Sequence, residues 1–125
     1  MRVGREGALQ GIRVLDFSRF MQGPRCSQMP GDLGVEVIKV ERIGTGDDNR
    51  GFPFTRIRSV PTFFLALNRN KRSVTLDLKH PQAEAVSERV LPACDVLLEN
   101  FRPGCHLRGR VEIVAAEVVT DRTKT

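Results

Sequence analysis

Neither tryptophan nor tyrosine occurs in this 125-residue chain, cysteine occurs only three times, and no apolar run approaches the ~20 residues a membrane-spanning helix needs. Each absence narrows the field. Without Trp and Tyr, and with phenylalanines set inside apolar runs such as LDFS and TFFLAL, no row of aromatics is evident on which nucleic-acid bases would stack. Cys26, Cys94 and Cys105 are too few for the disulfide framework of a small secreted domain, which points to a reducing, cytoplasmic setting. The opening MRVGREGALQGIRVLDFS lacks the apolar core of a signal peptide, so a soluble protein is expected. Where a dinucleotide-binding fold would carry GxGxxG, the chain reads SRFMQGPRCSQ with a single glycine, which argues against NAD binding of that kind. His80 and His106 have no Cys or acidic partner at metal-ligand spacing, and no metal site is expected. Cys105 stands beside His106, but adjacency in sequence is not the geometry of a nucleophile and its base, and no catalytic residue is assigned.

What is present is a basic chain, net charge +5 with pI near 9.7, in which 40% of residues are hydrophobic, enough for one self-contained core. The charge is unevenly spread. Between Asp48 and Asp77 there is no Asp or Glu, while Arg50, Arg56, Arg58, Arg69, Lys71 and Arg72 all fall there. Such a cluster reads either as a solvated basic face or as the footprint of an anionic ligand.

The local patterns alternate strand and helix. GIRVLDFS (11–18) predicts a strand, followed by a turn and a helix from about Pro24 to Leu33, closed by Gly34 and kinked or frayed by Pro30 and Gly31. VEVIKVE (35–41) is β-branched and nearly continuous, as a buried parallel strand is. Residues 42–61, rich in Gly, Pro, Asp and Asn, read as a long surface loop, and TFFLALN (62–68) as a helical turn. SVTLDL (73–78) is a strand, HPQAEAVSERVLPAC (80–94) a helix and DVLLENF (95–101) a buried strand. The fold class is therefore α/β, a Rossmann-like parallel sheet with flanking helices.

Four ordered blocks, LQGIRVLDFSRFMQGPRCSQM, DLGVEVIKVERIGTGDDNRG, FFLALNRNKRSVTLDLK and DVLLENFRPG, resemble the family III CoA-transferases, which include formyl-CoA transferases, carnitine CoA-transferase-like proteins and α-methylacyl-CoA racemases. The formyl-CoA transferase branch is the most similar. The resemblance covers residues 9–104 and implies an incomplete N-terminal part of the family's large domain at 9–108, after a flexible start at 1–8 and before a divergent, frayed tail at 109–125. The tail CHLRGRVEIVAAEVVTDRTKT departs from the family pattern, as does Pro30 in MPGDLG.

The resemblance implies coenzyme A as substrate, with its nucleotide end held by the turn at Met21 and Gln22, by the basic residues Arg42, Lys79 and Arg108, and by Leu76 and the Asn100–Phe101 turn. The cationic surface between Asp48 and Asp77 would then face CoA's phosphates, with Asn68 to Arg72 acting as a supporting turn as much as a clamp. In the family an aspartate attacks the acyl-CoA thioester, and two chains interlock as a homodimer. That aspartate would lie beyond Thr125, and Asp16, Asp32, Asp47, Asp48, Asp77 and Asp95 do not match it, so the chain alone is expected to be inactive. A non-catalytic CoA- or nucleotide-binding module and, less favoured, a basic nucleic-acid-binding domain are the competing readings.

Overall fold

The computed structural model describes residues 7–102. The first strand, β1 (Arg13–Asp16), leads through a turn into α1 (Gln22–Asp32) and then β2 (Glu36–Glu41). A 3₁₀ turn at Asp48–Gly51 and a small antiparallel hairpin, β3 (Arg56–Ile57) with β4 (Val60–Pro61), precede α2 (Thr62–Asn68) and β5 (Lys71–Thr75). The chain continues through α3 (Ala83–Val90) and a 3₁₀ turn at Leu91–Ala93 to β6 (Val96–Leu98). The main sheet has the order β5-β2-β1-β6, and every neighbouring pair is parallel. This is the expected α/β architecture.

Three local expectations change. The segment 42–61 is not one open loop, because the 3₁₀ turn and the hairpin organise it. The strand expected at 73–78 begins two residues earlier, so Lys71 and Arg72 belong to the sheet and not to the turn before it. The helix expected over 80–94 is shorter and tightens at Pro92, which lacks the N–H that an α-helix would use there. Helix α1, in contrast, runs through Pro30. It ends as expected at Gly34, whose φ of +101° suits glycine, with the Val35 N–H donating back to the Pro30 carbonyl at 3.1 Å. A side chain at Gly34 would also place its Cβ 2.8 Å from the Gly7 Cα, so only glycine lets the two backbones meet.

The register explains where polar chemistry collects. Val14 pairs with Val37 and Asp16 with Lys39, and since paired residues point to the same face, one face of the sheet carries Val14 and Asp16 on β1 beside Val37, Lys39 and Glu41 on β2. Its N-terminal end is apolar: Val14, Val35 and Val37 form the core, packed by Leu9, Ile12, Val96 and Leu98. Toward the C-terminal ends of the strands the same buried face becomes ionised, with Asp16, Lys39 and Glu41 all at or below 5% exposure. The alternation in VLD and IKVE therefore runs a charged stripe into the interior.

Candidate functional site

The buried charges are matched to one another. Lys71 Nζ lies 3.2 Å from Asp16 Oδ2 and also donates to the Pro24 carbonyl at 2.8 Å and to Asn68 Oδ1 at 3.1 Å. Asp16 accepts in addition from the Ser18 N–H and from the Ser18 and Ser27 hydroxyls. Lys39 Nζ is 2.8 Å from Asp47 Oδ2 and donates to the Ser18 carbonyl at 2.8 Å. Glu41 receives both the Nε and Nη2 of Arg50, the Ser73 hydroxyl and the Asp47 N–H. Burial raises the pKa of the Glu41 carboxyl, but these four donors outweigh it and hold the group at about 2. Burial lowers the pKa of the Lys71 ammonium, against the opposing pull of Asp16.

This web resolves the cationic cluster. Arg50 pairs with Glu41, Arg69 with Asp32, Lys71 with Asp16 and Arg72 with Glu36. The acids that the stretch 49–76 lacks are supplied by β1, α1 and β2. Arg56 donates to the Ser59 carbonyl of its own hairpin at 2.8 Å. Of the cluster, Lys71 is fully internal, while Arg69 and Arg72 hold their partners at the surface with 49% and 77% of their side chains exposed.

The open chemistry lies nearby. A cleft of about 380 Å³ opens at the C-terminal ends of the parallel strands. Phe17 and Arg19 line it after β1, Val40 to Ile43 at and after β2, Leu76 to Lys79 after β5, and Phe101 after β6. Open parallel sheets bind ligands at this edge, because the strand ends and the loops beyond them converge there. The corner at Gly46 is tight: φ is +69°, and a Cβ would fall 2.7 Å from Glu41 Oε2.

Of the residues named from the sequence, Arg42, Leu76, Lys79 and Phe101 line this cleft together. Arg42 is held by an ion pair to Asp48. Asn100 stands behind the wall, where its side chain bonds both backbone polar groups of Arg19. Met21 and Gln22 lie at the start of α1, exposed and outside the cleft lining. Arg108 lies outside the described residues, as do Cys105, His106, the tail from 109, and the chain start apart from Gly7 and Ala8. His80 caps the entry to α3, its Nδ1 accepting from the Gln82 N–H.

Sequence reasoning missed Arg19 and Phe20. Phe20 has φ of +69° without being glycine, a strained conformation at the tip of the β1–α1 turn. The Asn49 amide donates to its carbonyl. A bulky residue before Met21, in a turn with one glycine, was the available signal. All six described aspartates are engaged: Asp16 and Asp47 with buried lysines, Asp32 and Asp48 with arginines, Asp77 with the Lys79 N–H and Asp95 with the Arg13 N–H.

The parallel sheet with flanking helices is shared with solved proteins. A CaiB/BaiF family protein from Brucella suis superposes with a TM-score of 0.72 at 36% identity, over 80% of this chain and 27% of that one. The Mycobacterium tuberculosis protein Rv3272 gives 0.68 at 46% identity, over 78% and 26%. The model of CoA-transferase family III matches residues 9–116, and the chain belongs to that family. It is also 46% identical over 101 residues to the formyl-CoA:oxalate CoA-transferases of Afipia carboxidovorans and of Bradyrhizobium sp. strain ORS 278. Those alignments take in 78% of this chain and 23% of each relative, so the chain spans about a quarter of their length. Among the described residues no helix is long and apolar enough to cross a membrane.

Proposed function

We propose that this chain is a CoA-binding portion of a family III CoA-transferase, and that its cleft receives the nucleotide end of CoA. The observation that carries the reading is the convergence of Arg42, Leu76, Lys79 and Phe101 from three separate strand ends onto one cleft. Their chemistry suits such a ligand. The Arg42 guanidinium and the Lys79 ammonium meet phosphate oxygens, while Leu76 and the Phe101 ring offer apolar surface to a base. The Asp48 carboxylate that holds Arg42 keeps the guanidinium at the cleft, and a phosphate would compete with it as acceptor.

In full-length relatives the bound thioester would be attacked by an aspartate. In this chain the described aspartates already serve as ion-pair or hydrogen-bond partners, so the described residues supply binding and orientation. A second subunit and the acyl and acceptor contacts belong to the same proposal, on the strength of the family. Mapping backbone amide shifts by NMR during CoA addition tests the location. Shifts concentrated at residues 41–46 and 76–79 support it, and shifts confined to the hairpin or α3 contradict it.

A further inference from the structure

Three cations reach the cleft, and they differ in what else they touch. Arg42 is paired with Asp48, whereas among the described residues the side chains of Arg19 and Lys79 take part in no ion pair or hydrogen bond. Lys79 is one of the residues that the family resemblance points to. Arg19 is not.

The structure fixes Arg19 unusually well for a turn residue. Its N–H donates to Asn100 Oδ1 at 2.9 Å, and Asn100 Nδ2 donates to its carbonyl at 2.8 Å, so one amide side chain holds both backbone groups. The carbonyls on either side are held as well, Ser18 by Lys39 at 2.8 Å and Phe20 by the Asn49 amide. Side chains from β2, from the 3₁₀ turn and from the segment after β6 thereby immobilise three consecutive carbonyls. The Arg19 guanidinium carbon lies over the Phe101 ring, 5.1 Å from its centroid, a cation–π contact that draws the cation to the cleft wall. Phe101 is itself steadied through its N–H, which donates to the Glu99 carboxylate at 2.6 Å. With no hydrogen bond or ion pair among the described residues, the guanidinium keeps its N–H donors available, and their planar fork matches two oxygens of one phosphate.

We infer that Arg19 is a ligand-binding residue of the cleft, presenting its guanidinium edge to a phosphate of the ligand, with Asn100 fixing the backbone from which it reaches. The inference rests on the CoA reading above. Because no described side chain depends on the Arg19 guanidinium for a hydrogen bond, its removal should leave the fold intact.

The test is calorimetric titration of the 125-residue chain and its Arg19→Gln and Arg19→Lys variants with CoA and with pantetheine, which lacks the phosphates and the nucleoside. Arg19→Gln should weaken CoA binding about tenfold, the effect of losing one charge-assisted contact, and Arg19→Lys should weaken it less, since the charge remains while the bidentate fork is lost. Neither variant should change the affinity for pantetheine. Equal CoA affinity in wild type and Arg19→Gln overturns the inference and leaves the CoA reading standing, as does an equal loss for pantetheine. A wild-type chain that binds no CoA overturns both.

Discussion

Lys71 and Asp16, 55 positions apart, meet inside the protein with Nζ 3.2 Å from Oδ2, their side chains 2% and 0% exposed. The lysine stands in a stretch with no acid of its own, and the aspartate ends the first strand. Removing one member of such a pair strands a charge in the interior. Lys71→Met should destabilise the protein by roughly 3–5 kcal/mol in urea unfolding, and the double variant with Asp16→Asn should recover part of that loss. Arg72→Ala, whose guanidinium is 77% exposed in its pair with Glu36, should leave the midpoint nearly unchanged. Equal effects of Lys71→Met and Arg72→Ala would contradict the assignment of Lys71 to the core web.

The web also predicts an acid limit. The Glu41 carboxyl titrates at about 2 in the folded protein against an ordinary value of 4.5. A depressed folded value means that the stabilisation is fully present above about pH 4.5 and is lost as the pH falls toward 2. Glu41→Gln should therefore be less stable than wild type at neutral pH, and the gap should close across that acid window. A gap that stays constant from pH 6 down to about 2.5 would show that the carboxylate charge is not what Glu41 contributes.

Binding should discriminate between arginines by place. Arg42→Ala and Lys79→Ala should each weaken CoA about tenfold, because both groups line the cleft. Arg56→Ala should leave CoA affinity within about twofold and instead loosen the hairpin, where the guanidinium bonds the Ser59 carbonyl. Fluorescence or calorimetric titration separates the two, and equal losses for Arg42 and Arg56 would make the cleft no different from the rest of the basic surface.

Much of the frame was readable because β-branched strands, Pro24 and Gly34 report local geometry that the fold keeps. The family blocks likewise named four residues that gather at one cleft. The ion pairs were not readable: Arg69 with Asp32 and Lys71 with Asp16 join positions 37 and 55 apart, and charge in a linear sequence does not reveal such partners. VEVIKVE reads as a nearly continuous β-branched buried strand, yet its pleat turns Lys39 and Glu41 fully inward and leaves Ile38 and Val40 only partly buried. Arg19 escaped notice because its value comes from Asn100, 81 positions later.

The 125-residue chain should form no acyl-enzyme intermediate when mixed with formyl-CoA or other acyl-CoA thioesters. Its described aspartates already serve ion pairs or backbone N–H groups, and an aspartate shared with a buried lysine is a poor nucleophile toward a thioester. Mass spectrometry after hydroxylamine treatment checks this. A hydroxamate on any of Asp16, Asp32, Asp47, Asp48, Asp77 or Asp95 would refute it.

The most direct measurement is titration of the 125-residue chain with CoA, followed by competition with adenosine 3′,5′-bisphosphate and with pantetheine. If the cleft receives the nucleotide end, CoA binds saturably at one site per chain, the bisphosphate displaces it, and pantetheine does so only at much higher concentration. Absence of saturable binding, or displacement by pantetheine but not by the bisphosphate, would contradict the account.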